Sequence, residues 1–394
     1  MQNDGRDPNA GSVYVLLTNH LGLQRAPVVF DRTWNDGVFL DGGKTGVAFR
    51  KNKVRPVIRP VRRRLACYLS PMVFESLPDR VRLMEVGPRD GLQNEKIVVD
   101  TRGKIAFLND LADAGCKRIE ATAFVNPRWI PPLADHAEIA HATQQAPLKG
   151  KATWAALTPN VKGYEGARAA GIDEVAIFLA ASESHNQKNI NASTAEALAR
   201  YAEVVARAVA DAVPFRGYVS CAMGCPYEGK IAVKAVVDVA VQLIDMGCYE
   251  VSIGDTIGVG NPRQTVELVR ALKSNIAVSA LALHLHDTRG TALANIAASL
   301  NEGVRSFDSS AGGLGGCPYA PGAAGNVATE DLVYMLEAMG IHTGIDLRKL
   351  ARASLRMETI LKRPPPSKVV AALRAELEAE GLGLNPLGYS EVPA

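Results

Sequence analysis

From Val81 onward the chain repeats one unit: a short apolar or β-branched run, a turn, an amphipathic stretch, and often a glycine before the next run. The runs are VRLMEV (81–86), RIEATAF (118–124), KATWAAL (151–157), EVAIFLA (174–180), FRGYVSCA (215–222), YEVSIG (249–254), SALALHLH (279–286) and RSFDSS (305–310), eight strand candidates in all. Between them, Ile105, Leu108, Leu111 and Ala112 share one helical face, as do Leu198, Tyr201, Val205, Ala208 and Val209. Gly115, Gly171, Gly247 and Gly303 stand where helix stops are expected. This alternation fits an α/β fold of the TIM (β/α)8 barrel type. An open doubly wound sheet fits less well, since no GxGxxG follows the first strand. Polar placement tips the balance: Arg89, Asp90, Glu120, Asp255, His284, His286 and Asp308 fall at or just beyond strand C-termini, which converge in a barrel.

The flanks differ. Residues 1–75 mix turn formers with short apolar pieces and then carry Arg50 to Arg64 without an acidic residue. No helical or strand period holds there, so we expect an irregular N-terminal extension: a translated upstream segment before Met72, a tail, or an Arg-rich targeting piece. Residues 76–394 form the expected catalytic domain. Its last part, about 340–394, carries added helices over Asp346–Leu361 and Val369–Glu380, expected to pack across the barrel or against a second subunit. A charge of +3 from 44 basic and 41 acidic residues gives no reason to expect nucleic acid as a partner. No apolar run is long enough for a membrane span. Six scattered cysteines suggest reduced thiols in a cytoplasmic setting.

His284 and His286, two apart on the seventh strand, project from one face and can share a metal ion, with Asp287 as a candidate orienting group. Asp90 joins them only if the strands close into a barrel, and Asn326 can add an amide oxygen. That mixed shell suits Mg2+ or Mn2+ better than structural zinc. Arg89 places a cation beside the metal and Glu120 can pin it; a purely structural ion pair at the rim is the lesser reading. Cys317 ends a glycine-rich stretch able to close over a ligand; a phosphate-cradling turn is the competing reading. Cys221 and Cys225 lack partners that would complete a metal site.

These residues lie in EVGPRDGLQNEK (85–96), IEAT (119–122), SCAMGCPYEGK (220–230), GDTIGVG (254–260), HLHDT (284–288), GGLGGCPYA (312–320) and GNVATEDLVYML (325–336), through which the chain resembles hydroxymethylglutaryl-CoA lyases from about Val81 to Leu347. The resemblance implies a barrel, Mg2+ or Mn2+ held by Asp90, His284, His286 and Asn326, and catalysis by Arg89, Glu120, Asp255, His284 and Cys317. The implied reaction cleaves 3-hydroxy-3-methylglutaryl-CoA to acetyl-CoA and acetoacetate. An acyl-CoA is the expected partner, and a homo-oligomer the expected state. Two departures, Ala123 for a Ser and Arg289 for an aromatic residue, suggest a retuned acyl pocket and keep citramalyl-CoA as an alternative substrate. The HNQKNIN stretch (185–191) is read as a loop able to touch CoA phosphates. A metal-dependent hydrolase barrel would carry its HxH on the first strand, and a non-enzymatic metal scaffold would leave Arg89, Glu120 and Cys317 without purpose.

Overall fold

The computed structural model describes residues 14–19 and 22–27 as backbone strands, residue 74, and residues 77–316 and 325–380. The chain divides into two units, Met1–Cys67 and Tyr68–Ala394. The first contains an antiparallel pair, Tyr14–Asn19 and Gly22–Pro27, in register from Tyr14 opposite Pro27 to Asn19 opposite Gly22. The rest of residues 1–73, expected to be an irregular extension, lies outside the described residues. A continuous apolar run such as YVLLT shows no alternation, yet its β-branched and aromatic content favours a strand.

The second unit is a closed barrel of eight parallel strands. They are β1 (Arg82–Glu85), β2 (Arg118–Ala123), β3 (Thr153–Leu157), β4 (Glu174–Ala180), β5 (Phe215–Ser220), β6 (Val251–Asp255), β7 (Leu281–Leu285) and β8 (Ser306–Ser309). Each pairs with its chain neighbour, and β8 closes on β1. Parallel strands covered on both faces bury nearly everything, which is why EVAIFLA and LALHL read as unbroken apolar runs.

The connecting helices are α1 (Thr101–Asp113), α2 (His136–Thr143), α3 (Val161–Ala169), α4 (Glu183–Ile190), α5 (Thr194–Ala210), α6 (Val233–Asp245), α7 (Pro262–Leu272), α8 (Ala292–Leu300) and α9 (Thr329–Ala338). Their starts are written locally. The side chains of Asp100, Asn160 and Asn261 accept the amides of Gly103, Gly163 and Gln264, and Ser193 with Glu196 forms a capping box at α5. Gly115 (φ 103°) and Gly247 (φ 104°) turn the chain from helix to strand in the left-handed region. The HNQKNIN segment is mostly α4 rather than a loop: Ser182 caps its start through the His185 amide, and Asn191 (φ 47°) ends it.

Beyond α9 come α10 (Leu347–Leu361) and α11 (Lys368–Ala379). Helix α10 packs on α1, α9 and α11. Leu350, Ala353 and Met357 on α10 join the main core, while Leu355 meets Val370 and Leu377 of α11. Arg356 donates to Asp110 of α1 at 2.5 Å.

Candidate metal centre

Alternation along β7 sends Leu283 and Leu285 toward the helices and His284 inward, with His286 just past the strand on the same face. The turn after β1, Gly87–Gly91, is a single wide helical turn in which the amides of Arg89, Asp90 and Gly91 all donate to the Val86 carbonyl. Its two glycines are obligatory for space. A Cβ on Gly87 would lie 2.6 Å from Glu85 Oε1, and one on Gly91 would lie 2.8 Å from Ser310 Oγ. Packed this tightly, the turn carries Arg89 and Asp90 to the β7 histidines.

Asp90 Oδ2 lies 3.7 Å from His284 Nε2 and 4.0 Å from His286 Nε2, and ligand atoms of the three residues all fall within 4.8 Å of one another. Donors at about 2.1 Å from one ion are about 3 Å apart when adjacent and about 4.2 Å apart when opposite. The cluster therefore has the dimensions of a coordination shell. Asn326 pairs with His286 through backbone and donates Nδ2 to Asp90 Oδ2 at 2.8 Å. Its amide oxygen is buried and has no hydrogen-bond partner among the described residues. An unpartnered amide oxygen beside a carboxylate and two imidazoles fits a hard divalent cation.

Charge is arranged for the same end. Burial alone pushes Asp90 upward, but Arg89 and then the two imidazoles hold its carboxyl well below the usual range. Burial, reinforced by His284, pushes His286 down to about 4, so the ring is neutral and its lone pair available at pH 7. Arg89 donates Nε to Glu120 Oε2 at 2.7 Å and Nη1 to Asp90 Oδ1 at 2.5 Å, and its Nη2 has no acceptor among the described residues. Glu120 is the third residue of β2, not its end. A bulge between Glu120 and Thr122 accompanies its inward aim at Arg89, and burial pushes its carboxyl up against the partial offset of Arg89.

Asp255, expected to serve catalysis, ends β6 as its sequence position suggests. Its two oxygens accept the amides of Val259 and Gly260, so the carboxylate shapes the β6–α7 loop. Asp287 does not orient a histidine; it accepts the Ala292 amide at the start of α8. Cys317 lies outside the described residues. Neither residue that suggested a retuned pocket lines the cavity: Ala123 packs against Leu133 and Leu157, and Arg289 donates to the carbonyls of Ile257 and Gly258.

Arg216 and Tyr218 were not singled out from the sequence, and Asp308 was placed at a strand end without a role. Asp308 Oδ2 lies 3.2 Å from His284 Nδ1. Burial raises its carboxyl, yet Arg216 and then His284 bring it well below the ordinary range, so it accepts and fixes His284 with Nε2 toward Asp90. Arg216 grips Asp308 with two nitrogens, at 2.6 and 3.1 Å. Tyr218 stands edge-on to His284, ring centroids 6.0 Å apart, with the Arg89 guanidinium 5.6 Å from its ring centre. Only the strand positions of Asp308 and Arg216 hinted at this, because inward alternation does not say which partner a charge will meet.

All of this opens into a cavity of about 1380 Å³, lined at one end by Arg89, Asp90, Tyr218, His284 and His286, and elsewhere by Lys162, Asn189, Asn191, Arg200 and Trp129. With this geometry in view, the comparisons are direct. The HMGL-like family model matches residues 80–356. The mitochondrial hydroxymethylglutaryl-CoA lyase of Gallus gallus is 52% identical over 297 residues, 75% of this chain and 99% of the relative. The crystal structure of hydroxymethylglutaryl-CoA lyase from Pseudomonas aeruginosa superposes with a TM-score of 0.74 at 49% identity, covering 76% of this chain and 99% of that one. An HMG-CoA lyase from Acinetobacter baumannii, solved with coenzyme A and 3-methylmalate, gives a TM-score of 0.71 at 39% identity, covering 75% and 95%. The match runs through every barrel strand and every candidate ligand, and this chain belongs to the HMGL-like family.

Proposed function

We propose that this chain is a carbon–carbon lyase that cleaves 3-hydroxy-3-methylglutaryl-CoA to acetyl-CoA and acetoacetate, using Mg2+ or Mn2+. The observation that carries the reading is the meeting of Asp90, His284 and His286 beside Arg89 in one cavity, in a chain 52% identical to a hydroxymethylglutaryl-CoA lyase. Citramalyl-CoA is the weaker candidate, since Ala123 and Arg289, which suggested it, sit away from the cavity lining.

Breaking the bond between C2 and C3 of such a substrate needs the C3 hydroxyl proton removed and the electron pair received by the thioester as an enolate. Asp90, His284, His286 and Asn326 would hold the divalent ion, whose chemistry when bound is to acidify and orient the substrate hydroxyl. Arg89, pinned by Glu120 and Asp90, presents its remaining N–H groups where enolate charge develops. The hydroxyl proton passes toward His284, the neighbour of Asp90. His284 would take that proton on Nε2 in the state where this nitrogen is not engaged with the ion, and Asp308 at Nδ1 balances the imidazolium so formed. Asp255 acts as a positioning residue through its loop. The polar wall formed by Lys162, Asn189, Asn191 and Arg200 receives the CoA arm. Buried thiols at Cys116, Cys225 and Cys248 suit a reducing compartment such as the cytoplasm.

The test supplies hydroxymethylglutaryl-CoA and citramalyl-CoA side by side with Mg2+ or Mn2+ and follows acetyl-CoA release. Acetoacetate from the first, abolished by a chelator and restored by either ion, is expected. Release that ignores the chelator, or favours the second substrate, sinks the reading.

A further inference from the structure

Tyr218 on β5 is 7% exposed and lines the cavity, and its hydroxyl is buried without a hydrogen-bond partner among the described residues. A buried hydroxyl left unpaired destabilises the fold, and native proteins rarely retain one without a use. The ring alone explains the packing. It sits under two guanidiniums, Arg216 at 4.9 Å and Arg89 at 5.6 Å from its centre, and edge-on to His284. Phenylalanine would offer the same faces without the stranded oxygen. The hydroxyl therefore answers to something the protein does not contain.

Its setting indicates what. Arg216 is fully committed, its three nitrogens donating to Glu250 and Asp308. Arg89 is not, since Nη2 has no acceptor among the described residues. Two donors without acceptors thus border one end of the cavity, the guanidinium of Arg89 and the phenol of Tyr218. A pair of donors held by buried partners is the arrangement that receives a developing oxyanion.

We propose that Tyr218 is a catalytic residue whose hydroxyl donates a hydrogen bond to the substrate's thioester oxygen as it becomes the enolate oxygen, beside Arg89. The assignment rests on the lyase reading above and adds a second donor to it. No covalent bond forms to the phenol and its proton stays in place.

The experiment compares the full-length parent with Tyr218→Phe, both loaded with Mn2+. Cleavage of hydroxymethylglutaryl-CoA is measured together with enzyme-dependent exchange of the acetyl-CoA methyl protons into D2O, which reports enolate formation without bond cleavage. We expect kcat to fall by about 10²-fold and exchange by a similar factor, with KM within roughly threefold. Mn2+ affinity by electron paramagnetic resonance and the melting temperature should match the parent. A loss under about tenfold overturns the assignment. So does a loss confined to cleavage while exchange is untouched, or one that tracks a fall in Mn2+ affinity or melting temperature, since the ring's support of His284 and Arg89 would then be the cause. A parent that neither cleaves nor exchanges brings down the lyase reading itself, a result separable from an active parent with an equally active Phe variant.

Discussion

The two ends of the barrel are equally rich in charge and use it in opposite ways. At the N-terminal floor, Arg216 donates to Glu250 at 2.8 Å and to Asp308. Arg118 reaches Glu250 at 3.2 Å and Glu174 at 3.4 Å, and Tyr249 donates to Glu174 at 2.6 Å. Ser252 adds a donor to Asp308 at 2.7 Å. Every carboxylate there has its cation. At the mouth, Asn326 Oδ1 and the Tyr218 hydroxyl have no partner, and a nitrogen of Arg89 has no acceptor among the described residues. Closed networks hold a shape, whereas open valences in a cavity wall are where a ligand completes the structure.

The sharpest break of this contrast is Arg216→Met. It strands Glu250 and Asp308 in the floor with less cation than they need, and a buried pair broken from one side costs about 3–5 kcal/mol. Denaturant unfolding should register that loss, and one below about 1 kcal/mol would mean the floor network is not holding the barrel. Arg89→Gln at the mouth should cost activity first. The predicted fall in kcat is about 10²–10³-fold. Its stability penalty should be smaller than that of Arg216→Met, because one of its two carboxylates, Asp90, is partly open to the cavity. Turnover within a few-fold of the parent would remove Arg89 from the chemistry.

How much of this was legible follows the same division. Eight strands were readable because buried parallel strands must be apolar throughout, and His284 and His286 because a period of two puts both on one face. Asp90 was readable once closure was assumed. The floor was not: Arg216 and Asp308 are 92 residues apart, and nothing local marks one as the other's partner. The strand-end position of Asp255 was readable, but not that its oxygens accept amides of its own loop, a contact decided by backbone shape. Helix α4 was hidden by polar residues that signal a loop, with only the Ser182 cap to betray it.

Asp308 joins the two regions, touching both Arg216 and His284, and so tests whether they are independent. Asp308→Asn keeps the shape but weakens the acceptor behind His284. Removing such an outer partner typically lowers metal affinity about 10–100-fold. Titration with Mn2+ should show that loss with the barrel still folded. Unchanged affinity would mean that the floor does not tune the mouth.

The smallest effect comes from a place that belongs to neither pattern. Glu85 accepts the amides of Gly87 and Ala311 and the Thr329 hydroxyl, and Glu330 accepts the Gly312 amide and the Ser354 hydroxyl, all neutral donors. Without the guanidiniums that serve the floor, burial dominates and pushes Glu85 to about 7 and Glu330 to about 8, from ordinary values near 4.5. An acid whose folded pKa is raised binds its proton more tightly when folded. Its contribution is complete below the unfolded pKa and is lost as pH rises through the folded one. His286, pushed down to about 4 by burial, acts in the opposite direction but only below its ordinary value of 6.5. Between about pH 6.5 and 8, with metal chelated, the parent should therefore lose stability on the order of 1 kcal/mol as pH rises. Glu85→Gln, neutral at every pH, should flatten part of that slope. An identical slope in both proteins would mean Glu85 is already ionised in the fold, and that neutral donors alone can do here what the floor needs arginine to do.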